Sequence, residues 1–279
     1  MNNCCICLCV FNNEQGLPHV LNNIKKLEII FNIKILVFYD HSKDKSYQIL
    51  FEYSKKNNNM EIIINNKTRS NIRTEQIAFA RNTLLQMIRD KYNTYEYFIM
   101  MDSNEYACIG DINIDVIKES LLLNNWDSLS FDREAGYYDT WALSFDPYIY
   151  SFFHFNNWRK VVNNMRDEFN KLLNYYKKEK SNDLIPVYSA FNGFAIYRTK
   201  KFLNCKYSSN IDLTLFPLNI IKNQQILTNE KIINSKINDC EHRHFHLQAI
   251  KENNALIRIS TKYLFKKVIN PPPNLRGPC

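Results

Sequence analysis

The run Tyr97 to Tyr106, YFIMMDSNEY, carries a short apolar strand straight into Asp102, Asn104 and Glu105. Carboxylate and amide oxygens at a strand's C-terminal end suit a hard divalent cation, Mn2+ or Mg2+, and the phosphates it carries. Ligands of open α/β sheets bind outside the carboxyl ends of the strands, so the pattern points to a nucleotide-dependent enzyme. A plain solvated turn uses the same residue types, and other chemistry must support the reading. Ile77, Leu84 and Ile88 recur at helical spacing, Arg81 falls on their stripe, and Arg73 lies two turns earlier on a similar bearing. A guanidinium on a core-facing stripe is costly unless a carboxylate or phosphate pairs with it. Arg81 is therefore expected in an active-site contact or a structural ion pair, with Asn82 anchoring a loop or substrate.

Cys240-Glu241-His242-Arg243-His244-Phe245-His246 gathers three of the six histidines beside a carboxylate. An extended segment would align His242, His244 and His246; a helix would align only His242 and His246. Imidazole with carboxylate suits a transition metal, whereas HExxH and zinc-spaced cysteines are absent, against a structural zinc site. A cation bridging Asp102 and a histidine from the far end of the chain is the stronger expectation. Tyr137-Tyr138-Asp139-Thr140-Trp141-Ala142 can make a sugar surface, with rings stacking on apolar sugar faces and the carboxylate accepting hydroxyl hydrogens. Aromatic core is the plainer alternative. Phe191 to Tyr197, FNGFAIY, reads as a turn feeding a buried strand, where Gly193 lets backbone approach a ligand or another strand.

Elements must bring these residues together. Strand patterns at Cys5 to Phe11, Ile33 to Tyr39, Met60 to Ile64 and Tyr97 to Met101 alternate with helical patterns at Leu17 to Phe31, Lys45 to Lys56 and Ile72 to Tyr92. The alternation predicts parallel βαβ units in an α/β fold. Right-handed crossovers put the strand C-terminal ends along one edge, so Asn12, Asp40, Asn65 and Asp102 are expected around one nucleotide-sized cleft. Asp127 to Phe131 predicts another strand, and Asn156 to Lys178 a helix with Trp158, Val162, Met165, Phe169, Leu172 and Tyr176 on its apolar stripe. Pro271 to Pro273 predict an extended tail.

The chain has 279 residues, 45% hydrophobic and 14% aromatic, enough for a packed core and against disorder. A net charge of +8 is compatible with nucleic acid, membrane surfaces or phosphorylated small molecules. The lysines are scattered without the dense Arg and aromatic blocks of a nucleic-acid surface, so no nucleic-acid partner is expected. Cys5, Cys7 and Cys9 share one strand face and Ile6, Leu8 and Val10 the other, which predicts a strand buried on both sides rather than a disulfide or metal framework. Dispersed Cys108, Cys205, Cys240 and Cys279 fit a reducing compartment. Met1 to Phe11 lacks a basic lead and no run approaches a bilayer span. A cytoplasmic protein, neither secreted nor membrane-spanning, is the expectation.

The ordered set Arg73, Ala80-Arg81-Asn82, Asp102-Ser103-Asn104-Glu105, Tyr138-Asp139-Thr140-Trp141-Ala142, FNGFAIYR and Cys240-Glu241-His242 resembles the GT-A glycosyltransferases of large DNA viruses. These are similar in turn to the fungal capsule-type α-1,3-mannosyltransferases. The resemblance spans roughly residues 5 to 250, and the Asn- and Lys-rich composition fits an AT-rich viral genome, with host cytoplasm or virion as the corresponding location. It implies one α/β/α nucleotide-sugar-binding domain over residues 1–265, with a mostly parallel sheet, a nucleotide half to about 105, an acceptor half from about 106, and a Pro-rich tail at 266–279.

The implied activity is metal-assisted transfer of a hexose from a nucleoside diphosphate sugar to a hydroxyl of a glycan, glycoprotein or small acceptor. Asp102 matches the first acid of a DxD-like turn and Asn104 its last position, where the neutral amide leaves Glu105, a water or weaker metal binding to make up the difference. His242 or His246 is the implied C-terminal metal or phosphate contact. The implied nucleotide set is Phe11, Asn12, Asp40, Arg73, Arg81, Asn82, Asp102, Ser103 and Asn104; the acceptor set is Tyr138, Asp139, Trp141, Asn192 and Gly193. An inverting reaction needs a carboxylate base, for which Asp139 and Glu241 are the candidates; a retaining one does not. Two other readings stay open: a non-catalytic domain of the same type that binds nucleotide or glycan, and a metal-dependent nucleic-acid-processing protein.

Overall fold

The computed structural model describes residues 1–104, 107–108, 110–134, 136–180, 183–233 and 238–266. Glu105 and the Pro-rich tail from 267 onward lie outside the described residues. Strands β1 (Asn2–Val10), β2 (Phe31–Tyr39), β3 (Met60–Ile64), β4 (Tyr97–Asp102), β5 (Ser128–Asp132), β6 (Ile185–Pro186), β7 (Phe194–Arg198) and β8 (Ile257–Tyr263) form one sheet. Their order is β3, β2, β1, β4, β7, β5, β8, β6. The pairs among β1 to β4 and between β5 and β8 are parallel, while β7 runs antiparallel to β4 and β5, and β6 to β8. The expected mostly parallel α/β sheet is present.

Helices α1 (Leu17–Leu27), α2 (Ser46–Lys56), α3 (Arg73–Lys91), α4 (Ile114–Leu121), α5 (Trp158–Glu179), α6 (Leu218–Thr228) and α7 (Glu241–Asn253) accompany the strands. Cys5 and Cys7 of β1 face a core built with Leu84, Leu85 and Ile88 of α3, Phe169 of α5 and Phe245 of α7. Ile6, Leu8 and Val10 face the opposite core with Leu21 and Ile24 of α1 and Ile117 of α4. A strand covered on both faces has no polar side to alternate, which explains the unbroken apolar run. Burial pushes the thiol of Cys5 up to about 12 and that of Cys7 well above its usual range, so both act as neutral packing groups.

Several boundaries differ from the sequence expectation. β1 releases Phe11 into the following loop, and Phe31 pairs with Asn2 in the sheet instead of closing α1, which ends at Leu27 in a tight turn through Glu28 and Ile30. On α5 the buried line is Val161, Val162, Met165, Phe169 and Leu173; Leu172 and Tyr176 are only partly covered and Trp158 is 36% exposed. The segment from Glu241 takes the helical alternative. No helix among the described residues is long and apolar enough to cross a membrane.

Candidate active site

Asp102 closes β4 at the C-terminal edge of the parallel strands, and its N–H donates to the carbonyl of Gly193 at 2.9 Å. Gly193 has φ +83°, and a Cβ there would stand 2.5 Å from Ala107 Cβ and 2.7 Å from the Tyr138 hydroxyl. The expected close backbone approach is thus made to the acidic turn. Ser103 Oγ is buried within hydrogen-bond distance of the Cys9 carbonyl (2.7 Å) and Asn13 Oδ1 (2.8 Å). This corrects the expectation that Ser103 faces a cofactor: it ties the turn to β1. Asn104 Oδ1 accepts the Ala107 N–H at 2.9 Å and shapes the turn from the outside.

Arg81 of α3 is buried and its guanidinium lies over the rings of Phe191 (4.7 Å) and Tyr207 (5.6 Å). It pairs with Asp102 Oδ1 at 3.3 Å and with Glu241, the first residue of α7. The expected ion pair is therefore present, and it joins the acidic turn to the start of α7. Burial raises the Asp102 carboxyl, with Arg81 opposing the rise. Asp139 is pushed up to about 6, first by burial and then by the charges of Asp102 and Glu241. Its oxygens accept the N–H groups of Ala142 (3.2 Å) and Asn192 (3.3 Å). Asn192, at φ +57°, answers by accepting from the Tyr138 N–H at 3.2 Å while its amide donates to the Phe131 carbonyl at 2.8 Å. Tyr138 carries the Arg133 guanidinium on its ring at 4.8 Å, and Trp141 packs edge-on against Phe153. Part of the aromatic motif is thus packing, as the plainer alternative held.

The two histidines on one face of α7 differ in what they have left to give. His246 is fully buried, with Ser189 Oγ 3.0 Å from Nδ1 and the Tyr197 hydroxyl 3.2 Å from Nε2. With both ring nitrogens engaged inside the core, His246 is corrected from metal ligand to structural residue. His242 stacks on Phe191 at 4.0 Å, and neither ring nitrogen has a hydrogen-bond partner. Burial and then Arg81 hold it neutral, well below the usual histidine range. Among the described residues no three His, Cys, Asp or Glu side chains converge on one metal position. At the turn itself stand the partly exposed Asp102 and the neighbouring Asn104, oxygen groups of the kind that suits a divalent cation, while the His242 ring is buried with Nε2 3.9 Å from Glu241 Oε1.

Two strands away, Asp40 follows β2 and is buried, accepting from Asn65 (2.9 Å) and Gln76 (3.0 Å). Arg69 pairs with the same carboxylate at 3.2 Å and lies 3.4 Å over the ring of Phe11. Asn12, at φ +52°, bonds to Ser42 and Lys43 and fixes the neighbouring loop. The expected edge of Asn12, Asp40, Asn65 and Asp102 is assembled. Asn82 is not part of it: its amide exchanges two 2.8 Å hydrogen bonds with the backbone of Tyr207 and anchors that loop. Arg73 is exposed rather than on the buried stripe, although its charge still favours ionised Asp102.

Sequence reasoning missed Arg69, Gln76 and Arg243. Arg243 is fully buried on α7 and donates to Asp239 Oδ2 (2.8 Å), the carbonyls of Trp141 and Leu143, and Ser144 Oγ. It fastens the loop carrying Asp139 and Trp141 to the helix carrying Glu241. Its place between two histidines with apolar Phe245 beyond was the available sign of a buried arginine.

The described residues thus form a mostly parallel α/β sheet with an acidic turn after its fourth strand and an arginine paired to that turn. Residues 5–106 match the family model described as glycosyl transferase family 2. Among solved structures, S. aureus TarS 1-349 is similar at TM-score 0.48 and 17% identity, over 94% of this chain and 59% of its own. The mannosyltransferase PcManGT of Pyrobaculum calidifontis, in complex with GDP-Man and Mn2+, is similar at TM-score 0.47 and 11% identity, over 84% and 55%. The chain thus spans less than two thirds of the length of either. No curated protein matches it.

Proposed function

We propose that the protein is a metal-assisted glycosyltransferase, moving a hexose from a nucleoside diphosphate sugar to a hydroxyl of a glycan, glycoprotein or small acceptor. The observation carrying this reading is the pairing of Arg81 with Asp102 and Glu241, with the Asp139 carboxyl close enough to feel both carboxylates, at the sheet edge that ends the residues matching the family-2 model. The proposed catalytic unit runs to residue 265, nucleotide-binding to about 105 and acceptor-binding beyond it.

Asp102 and Asn104 of the acidic turn would hold the divalent cation, with His242 the C-terminal candidate for a contact to it or to the phosphates. When bound, it would supply Lewis-acid neutralisation of charge on the leaving diphosphate. Arg81 contributes fixed positive charge from a buried position, where it costs no reorganisation during reaction. Asp139 is assigned as the base that takes the acceptor hydroxyl proton, because a carboxyl near 6 is half ionised close to working pH. Glu241 is then the counter-ion that fixes Arg81. Tyr138, Asn192 and Gly193 shape the floor on which the acceptor meets Asp139.

The test is a thermal-shift panel of nucleoside diphosphates and their sugars with Mn2+, Mg2+ or EDTA, followed by transfer assays. A ligand that binds only the folded state raises the melting temperature. Asp102→Ala should keep the fold and lose metal-dependent transfer; a fully active variant refutes the assignment. Metal-dependent nucleotide binding without transfer to any acceptor would favour the non-catalytic alternative, to which the Asn104 substitution in the DxD-like turn lends its support.

A further inference from the structure

Asp40 sits where a carboxylate could meet the base of a bound nucleotide, but its acceptor sites are largely taken. Oδ1 accepts from Asn65, and Oδ2 accepts from Gln76 and lies 3.2 Å from Arg69 Nε. What this cluster presents outward is Arg69. Its guanidinium lies flat on Phe11 at 3.4 Å, its Nε is fixed by Asp40, its side chain is 42% exposed, and its two terminal amino groups have no partner among the described residues. Phe11 is itself held, its N–H donating to Asn13 Oδ1 at 2.9 Å, so the guanidinium rests on an ordered platform.

β4 neighbours β1, and β1 neighbours β2, so the platform stands one to two strand spacings from Asp102, about 5–10 Å. That is the separation between a diphosphate at the acidic turn and the base of the same nucleotide. We infer that Arg69 reads the donor's base and that its donor-only fork selects guanine. Guanine offers two adjacent acceptors, O6 and N7, to such a fork, whereas uracil offers single carbonyls, and adenine and cytosine turn an amino group toward it. The inference rests on the transferase reading, since it places a nucleotide along this edge. Asp40 and Gln76 are positioning residues that act through Arg69.

The experiment titrates GDP, UDP, ADP and CDP against the full chain with Mg2+ and compares Arg69→Met. GDP should bind about ten-fold or more tightly than UDP, the scale of one bidentate base contact, with ADP and CDP weakest. Arg69→Met should bring GDP to the level of UDP; it also strips buried Asp40 of its cation, so the free protein should melt lower and the GDP to UDP ratio is the readout. A wild type without preference for guanine overturns the inference. So does a variant that keeps the GDP to UDP ratio while all four nucleotides weaken together, which would make Arg69 a phosphate contact. Binding of none of the four would instead refute the transferase reading itself, and the inference with it.

Discussion

Replacing Arg81 by Met removes the cation paired with both Asp102 and Glu241, and the structure sets the scale of the loss. Glu241 has a side chain only 5% exposed and would be left charged without that partner. Breaking a buried pair in this way costs about 3–5 kcal/mol. Asp102 is 27% exposed and its pair with Arg81 spans 3.3 Å, so solvent screens it and it adds about 1 kcal/mol or less. At the entropy of unfolding typical of a chain this size, the sum lowers the melting temperature by roughly 5–10 °C. The double variant Arg81→Met/Glu241→Gln removes the stranded charge and should recover most of that loss, because a buried pair replaced by neutral groups is often stability-neutral. Nucleotide-sugar binding should stay lost in both, since neither restores positive charge beside the diphosphate. Calorimetry of the three proteins, with donor titrations, tests this. Arg81→Met melting like the wild type, or a double variant no more stable than the single, would refute the buried-pair reasoning.

Two further predictions follow from the acidic turn and its neighbours. Gly193→Ala meets Ala107 Cβ and the Tyr138 hydroxyl and must hold φ +83°; left-handed backbone costs about 1–2 kcal/mol and overpacking about 1–3. Denaturant titration should therefore show a loss of about 2–5 kcal/mol, with turnover falling because Gly193 also holds the Asp102 N–H; a neutral variant removes Gly193 from the site. Asp139 moves from 3.8 to about 6 on folding, so the native state holds this proton more tightly than the unfolded chain. Its stabilising contribution is full below about pH 4 and is lost as pH rises through about 6, roughly 3 kcal/mol in all. Wild type should lose most of that amount, about 2 kcal/mol, relative to Asp139→Asn between pH 4 and pH 7. As the base, Asp139 should also give kcat/KM a rising limb near pH 6 that the Asn variant lacks; an unshifted limb in the variant reassigns the base.

Much of this site was written in local pattern. A strand apolar on both faces, followed by an acidic turn, fixed Asp102 at a sheet edge through the two-residue period of strands alone. Arg81 was marked as buried because a charge on an apolar helical stripe must find a partner. The expected edge of Asn12, Asp40, Asn65 and Asp102 followed from strand and helix alternation and the handedness of crossovers. Tertiary structure alone decided the pairings. Glu241 stands 160 residues from the arginine it holds, and Asn82 spends its amide on Tyr207, 125 residues away. His242 and His246 occupy the same helix face, yet only His246 finds hydroxyls from Ser189 and Tyr197. Periodicity reports which side of an element faces the core, because that depends on one residue's own position. Which donor meets which acceptor there depends on how distant segments pack, and only the assembled sheet with its covering helices brings those atoms within bonding distance.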